Sequence, residues 1–371
     1  MARIAHAPVT DPLVRVSENN GSLNVTEARA TARDTAAPDP LAAEQATRPS
    51  RGGRRPRAAA LASVAMGVPD NVVSNATVAE RAGVTEQWIV HRTGVRERRH
   101  VSEGERLTDL AVAAGRRALE QAEMRATDLD MVFVATIAAD ELTPNAAPLV
   151  AHELGAYGAG AVDVGAACTG FLSALSLATA QVEIGRCDNA LVIGADVMSR
   201  FVDKGDRGTA ALFADGAGAV LVTAAASTAD GLIGQIVLRA DGLGAGAIRA
   251  THEEQIIHMQ GHDTFKAAVQ RLSESTLEAV AQAELALDDI GLFVYHQANA
   301  RILCAVGERL EIDPERVIDC IDRYGNTSSA TLPIALADAR ERGMLEPGMN
   351  VVLAAFGAGF TWGAGVIQWG A

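Results

Sequence analysis

Residues 161–200 read AVDVGAACTGFLSALSLATAQVEIGRCDNALVIGADVMSR. The pattern is strand, turn, helix, strand. Val162 and Val164 close a first strand, and Gly165, Ala166 and Ala167 form a tight turn of small residues. Cys168 then falls at or beside the first turn of a helix, which carries small and apolar side chains to Gly185, where a glycine ends it. Leu191, Val192, Ile193 and Gly194 make the next buried strand. A thiol at a helix start feels unpaired N–H groups and the positive end of the dipole. Both favour the thiolate, which is the nucleophilic form. A buried structural cysteine is the competing account of the same residue.

Outward from this unit the rhythm continues. Ahead of it lie a strand in AAALASVAMGVP from Ala58, short helices at Asn75–Gly83 and Glu86–Val90, and an amphipathic helix at Leu107–Ala122. A buried strand in Asp128–Thr136 and a helix from the Leu142-Thr143-Pro144-Asn145 cap to Leu154 complete that side. Behind it come a strand in Phe213–Ala225, a strand at Ile233–Arg239 and a long helix at Thr264–Leu285. Next are a strand at Leu292–Tyr295 and helices at Ala300–Leu310 and Thr327–Arg342. Strands at Asn350–Ala355 and Gly363–Trp369 finish the chain. Strands alternating with helices predict an α/β fold with a largely parallel sheet covered on both faces. GAACTGFLSALSLA and GNTSSATLPIALADA each open a helix with a small-residue turn, an echo that points to two similar halves.

Composition narrows the function. The 371 residues are 49% hydrophobic and 21% charged, enough for a large core. A net charge of −14 argues against nucleic acid as a general partner. No apolar run is long enough for a membrane span. Cys168, Cys187, Cys304 and Cys320 have neither paired metal spacing nor the look of a secreted disulfide framework, so a reducing cytoplasm fits. Residues 1–57 lack periodicity and read as a disordered extension ending in a run of arginines. Six acidic residues before Arg48 weaken a transit-peptide account of it.

Three further elements bear on chemistry. His296 ends a short apolar strand in VYHQANARI, where open α/β sheets bind ligands, although a lone histidine is commonly just a satisfied surface or core residue. Asn326, in YGNTSSA, sits where an ordinary helix cap is expected. The turn Phe356-Gly357-Ala358-Gly359-Phe360 can present backbone N–H groups to an oxyanion, or simply reverse the chain. Each is ambiguous alone.

Taken in order, these stretches resemble the β-ketoacyl-acyl-carrier-protein synthase III family of the thiolase superfamily. The resemblance runs from about Ala58 to Trp369 and rests on WIVHRTGVRER, AACTGF, DRGTAALFADGAGAV, MQGHDTFKAAV, HQANARI, GNTSSA and FGAGFTWG. It implies a thiolase-like duplicated fold, two βαβαβ-type halves (58–228 and 229–371) in a five-layered α-β-α-β-α core. It implies a Cys168, His296 and Asn326 triad, with oxyanion donors at the backbone of Cys168 and Ala358. The alanine stands where many relatives carry glycine. By the same resemblance Trp88, Arg92 and Arg207 hold the adenine end of coenzyme A, and Gly261, Phe265 and Asn299 line the pantetheine tunnel. Lys266, Arg301 and Arg309 dock an acidic acyl-carrier protein, and Thr143 gates the acyl pocket of the neighbouring subunit in a homodimer. The implied reaction is decarboxylative condensation of an acyl-CoA primer with malonyl-acyl-carrier protein, without metal or redox cofactor. An acyltransferase working on an oxygen or nitrogen acceptor, and a non-catalytic acyl binder, are the competing functions. The His296 and Asn326 pair favours the first over transfer, and the retained Cys168 disfavours the last.

Overall fold

The computed structural model describes residues 57–226 and 231–370. Strand β1 (Ala59–Gly67) is followed by a short antiparallel pair, β2 (Val72–Ser74) and β3 (Glu97–Arg99). β1 joins β4 (Met131–Ala135), β5 (Gly160–Val164), β6 (Asn189–Val197) and β7 (Asp215–Ala224) in one sheet of order β1-β7-β6-β4-β5. A second sheet is built from β8 (Ile233–Ala240), β11 (Ile290–Tyr295), β12 (Asn350–Gly357) and β13 (Thr361–Gln368), ordered β11-β12-β13-β8. A small ladder, β9 (Ile248–Arg249) with β10 (His258–Met259), lies between β8 and β11 in the chain.

The sheets are mixed, which corrects the expectation of a largely parallel one. β4 runs parallel to β5 and β6, but β7 is antiparallel to both β1 and β6. β12 is parallel to β11 and antiparallel to β13, which in turn is antiparallel to β8. Connection type explains the difference. β12 and β13 are joined by only the short turn 358–360, and β6 reaches β7 without a crossover α-helix, so both pairs close antiparallel.

Helices α1 (Asn75–Ala82) and α2 (Glu86–Thr93) precede α3 (Leu107–Gln121), which packs on β1, β6 and β7 as an outer layer. α4 (Ala146–Leu154) starts at Asn145, but Asn145 makes no side-chain cap. The Asp163 carboxylate of β5 accepts from the Ala146 and Ala147 N–H groups instead, at 2.9 and 2.7 Å. Between the sheets lie α5 (Gly170–Glu183) and, from the later part of the chain, α9 (Thr331–Glu341). The far face of the second sheet is covered by α6 (Gly261–Gln282), which also packs on α7 (Ala300–Leu310); a single turn, α8 (Ile321–Tyr324), leads towards α9. The expected α-β-α-β-α stack is therefore present.

The central helices are apolar around most of their circumference because both faces are covered. Phe171, Leu172 and Leu175 of α5 are fully buried, as are Leu332, Ile334 and Leu336 of α9 apart from at most 1% of their surface. Removing one such side chain down to alanine costs about 2–5 kcal/mol.

The proposed boundary at 228/229 and residues 1–56 lie outside the described residues. Arg57, expected to be disordered, is fixed in place: its guanidinium pairs with Asp188 and donates to the carbonyls of Val182 and Cys187.

Candidate active site

Cys168 lies in a 3-10 turn, Ala167–Thr169, immediately before α5. Ala167 is held at φ +45°, a left-handed backbone that L-residues adopt only under constraint. The constraint comes from across the sheets. Gly357 ends β12 against this turn, and a Cβ on it would stand 2.9 Å from Cys168 Cβ and 3.0 Å from Cys168 N. Only a glycine permits that approach. The hydroxyls of Thr169 and Thr361, 2.8 Å apart, tie the same two turns together.

His296 follows β11 directly, and its N–H donates to Ala354 O of β12 at 2.8 Å. It is 2% exposed, and its Nδ1 contacts Thr331 Oγ1. Burial pulls its pKa down to about 3, so the imidazole is neutral at physiological pH.

Asn326 is not the cap that its position in the sequence suggests. It is clamped by two backbone bonds to the first sheet's side, Asn326 N to Leu212 O and Ala214 N to Asn326 O, each 2.9 Å. Its Oδ1 accepts from Ser328 N at 2.9 Å, which leaves the NH₂ end for a ligand. Gly325 makes the preceding bend at φ +65°, with a Cβ position 2.9 Å from Ala214 Cβ that excludes a side chain. Ser328, at φ +54°, opens a second 3-10 turn, Ser328–Ala330, ahead of α9. Its Oγ lies 3.6 Å from Cys168 Sγ.

These three side chains open on one cavity of about 450 Å³. Trp88, Arg92, Arg207, Gly261, Phe265, Asn299 and Arg301 also line it. Thr85 caps α2 by accepting from Trp88 N at 3.1 Å, which places Trp88 and Arg92 one turn apart on the same face. The Arg207 guanidinium stands 5.6 Å from the Trp88 ring centroid, and Arg301 stands 5.4 Å from that of Phe265. Asn299 lines the cavity, but its amide also does structural work: Oδ1 caps α7 at Arg301 N, and Nδ2 donates to Arg92 O, each at 3.0 Å. Thr143, Ala358, Lys266 and Arg309 do not line this cavity. Thr143 is exposed beside the solvent-facing Leu142. Lys266 and Arg309 are exposed on α6 and α7, the two helices that carry Phe265 and Arg301. Ala358 directly follows the cavity-lining Gly357 and avoids the left-handed region, so it carries no penalty for not being glycine.

Family models described as 3-oxoacyl-[acyl-carrier-protein (ACP)] synthase III and its C-terminal part match residues 162–242 and 280–369. A β-ketoacyl-[acyl-carrier-protein] synthase III of Streptomyces coelicolor is 42% identical over 320 residues, covering 86% of this chain and 96% of the relative. One from Rhodospirillum rubrum is 43% identical over 311 residues, covering 81% and 96%. The chain belongs to the synthase III family. Solved structures agree. The 3-oxoacyl-[acyl-carrier-protein] synthase III of Aquifex aeolicus superposes with a TM-score of 0.81 at 36% identity, over 84% of this chain and 100% of its own. The priming β-ketosynthase of the R1128 polyketide pathway gives 0.82 at 33% identity, over 87% and 99%.

The electrostatics of this synthase III site differ from one expectation. Cys168 keeps some exposure through the cavity, yet the protein around its sulfur pushes the thiol up to about 12, with the Ser328 hydroxyl acting in the opposite direction. Burial outweighs the helix start, so Cys168 keeps its proton at neutral pH. Other residues of the synthase III site carry no chemistry that singles them out in the sequence, although Phe213 and Met259 fall inside stretches that carry the resemblance. Phe213, Ile248 and Met259 wall the cavity, and nothing in their spacing marks them. Asp196, fully buried on β6, holds the Ser328–Ala330 turn in place by accepting from Ser329 N at 2.9 Å. The same carboxylate accepts from Ile137 N and the Thr136 hydroxyl, at 2.9 and 3.0 Å.

Proposed function

We propose that the chain catalyses decarboxylative condensation of an acyl-CoA primer with malonyl-acyl-carrier protein, starting a fatty-acid or polyketide chain in the cytoplasm. The observation that carries this reading is one cavity uniting a thiol with two neutral hydrogen-bonding groups, a buried imidazole and an amide NH₂. A carboxylate in either place would repel an enolate.

In the first half-reaction Cys168 Sγ attacks the thioester carbon, the carbon–sulfur bond to coenzyme A breaks, and the proton lost from the thiol ends on the departing coenzyme A sulfur. The oxyanion of the tetrahedral intermediate is held by the backbone N–H groups of Cys168 and Ala358. In the second, the malonyl thioester loses CO₂ and the bonding pair moves onto its thioester oxygen. His296 and Asn326 donate hydrogen bonds to that enolate. Its carbon attacks the acyl group, Cys168 departs as thiolate, and a proton taken up from solvent restores the thiol. Bonds and electrons balance without a metal or redox cofactor.

Trp88, with the Arg207 guanidinium 5.6 Å from its ring centroid, suits an adenine ring, and Arg92 one turn away on α2 suits its phosphates. Lys266, Arg301 and Arg309 offer cations to an acidic carrier protein near the mouth. β5 ends its sheet with no strand on its outer side among the described residues. It exposes 42% of Val162, and Ile137 and Leu142 are also exposed. An open edge of this kind favours pairing with a second copy of the chain, whose Thr143 then gates the acyl pocket.

The test separates the half-reactions. Intact mass after incubation with acyl-CoA reads acylation of Cys168, and CO₂ release from malonyl-acyl-carrier protein reads decarboxylation. Cys168→Ser should lose the first. His296→Ala and Asn326→Ala should keep it and lose the second. Equal loss of both half-reactions in those two variants would remove the enolate assignment.

A further inference from the structure

A neutral imidazole carries one proton on either nitrogen, and the hydrogen bond at one nitrogen decides which form faces the ligand. In His296 the contact is between Nδ1 and Thr331 Oγ1. Thr331 is the first residue of α9, 1% exposed, and its hydroxyl has a single proton to give. Two acceptors lie in reach: His296 Nδ1, and the Ser328 carbonyl at 3.1 Å. The carbonyl already accepts from the backbone N–H of Thr331 itself, whereas Nδ1 is the nearer of the two.

We infer that Thr331 donates its hydroxyl proton to His296 Nδ1 and thereby fixes the histidine in the Nε2–H form that an enolate oxygen requires. Thr331 is a positioning residue: it acts through His296 on the decarboxylation half-reaction. The opposite arrangement turns the hydroxyl to Ser328 and puts the proton on Nδ1. Nε2 would then present a lone pair to the enolate and repel it. Burial, which keeps His296 neutral, removes the doubly protonated form that would make the choice unimportant. The inference rests on the enolate role proposed above for His296.

The experiment uses the full chain. Nitrogen-15 NMR of the histidine-labelled protein at pH 7.5, with His296 assigned by comparison with His296→Ala, should show a pyridine-type Nδ1 and a pyrrole-type Nε2. A protonated Nδ1 overturns the inference. Thr331→Val keeps the shape and removes the donor. It should acylate from acyl-CoA within about twofold of wild type, yet release CO₂ from malonyl-acyl-carrier protein at least about tenfold more slowly. Thr331→Ser should restore the rate. Decarboxylation at the wild-type rate in Thr331→Val, or failure of serine to rescue it, also overturns the assignment, and the wild-type spectrum decides the matter if the valine variant does not fold. Loss of decarboxylation in His296→Ala combined with a protonated Nδ1 in the wild type would remove Thr331 alone. Unchanged decarboxylation in His296→Ala would remove the underlying role of the histidine.

Discussion

Ser328 Oγ lies 3.6 Å from Cys168 Sγ, across the seam between the two sheets. The sulfur is buried enough to hold its proton up to about 12, and this hydroxyl works in the opposite direction. Acylation begins by removing that proton, so the hydroxyl should matter most when negative charge develops on sulfur. Ser328→Gly removes it while suiting the left-handed backbone at this position. A hydrogen bond to a charged group contributes about 1.5–3 kcal/mol, so alkylation of Cys168 by iodoacetamide should slow by about 10- to 100-fold. Wild-type kinetics in this variant would remove Ser328 from the acylation step.

The pH dependence of the thiol follows from its direction of shift. Below a pKa of about 12, the thiolate fraction grows about tenfold per pH unit. Alkylation of Cys168 should therefore climb without a plateau from pH 7 to 10, whereas an ordinary cysteine levels off near 8.5. A plateau below pH 9 would show that the dipole of α5 prevails over burial after all.

Asn326→Asp keeps the oxygen that accepts from Ser328 N–H and replaces the NH₂ donor by a second oxygen. The clamp should hold and Cys168 should still acylate. Removing one donor to a developing oxyanion typically costs about 10²–10³ in rate, and CO₂ release should fall by that order at pH 8. Release that survives within threefold would place the enolate oxygen elsewhere.

Gly357→Ala puts a methyl group 2.9 Å from Cys168 Cβ. Overpacking of this kind costs about 1–3 kcal/mol, and the turn carrying the thiol has to move. Both the melting temperature and the acylation rate should drop. An unchanged melting temperature would mean that the two turns yield more easily than their contacts imply.

Primer choice tests the open sheet edge and the exposed Thr143 together. Each methylene buried in an acyl channel is worth about 0.8 kcal/mol, so medium-length acyl-CoA thioesters should acylate Cys168 faster than acetyl-CoA. Thr143→Phe should reverse the order, read by intact mass. Preference for acetyl-CoA in both proteins would place the gate elsewhere.

The layering came from the family resemblance; the apolar and small residues of α5, with Phe171, Leu172 and Leu175 fully buried, agree with a helix covered by both sheets. Helix α7 was legible to the residue at Ala300–Leu310, and the end of β5 at Val164 was legible from the small-residue turn that follows it. Strand direction was not. The apolar run of β7 looks the same whether it meets β6 head-on or alongside, and only the connection decides. In the site, Cys168, His296 and Asn326 were each ambiguous on their own, and the ordered motifs around them carried the assignment. Ser328, Thr331 and Asp196 stayed hidden because a short polar residue in a turn, at a helix start or at the end of a strand carries no local mark of its partner. Their roles arise from neighbours more than a hundred residues away for Ser328 and Asp196, and thirty-five away for Thr331. The resting charge of Cys168 was misjudged for the same reason. A helix start is local, but burial comes from the second sheet.

The turns at Ala167–Thr169 and Ser328–Ala330 are counterparts, each opening with a left-handed residue and each launching a central helix. Only the earlier one carries the thiol. A ribosome therefore makes Cys168 long before it makes Ser328, and β12 later still. Until β12 lays Gly357 against it, the cysteine lacks the packing that holds its turn. The surroundings that set the proton on Cys168 are therefore completed late, with the closing of the second sheet.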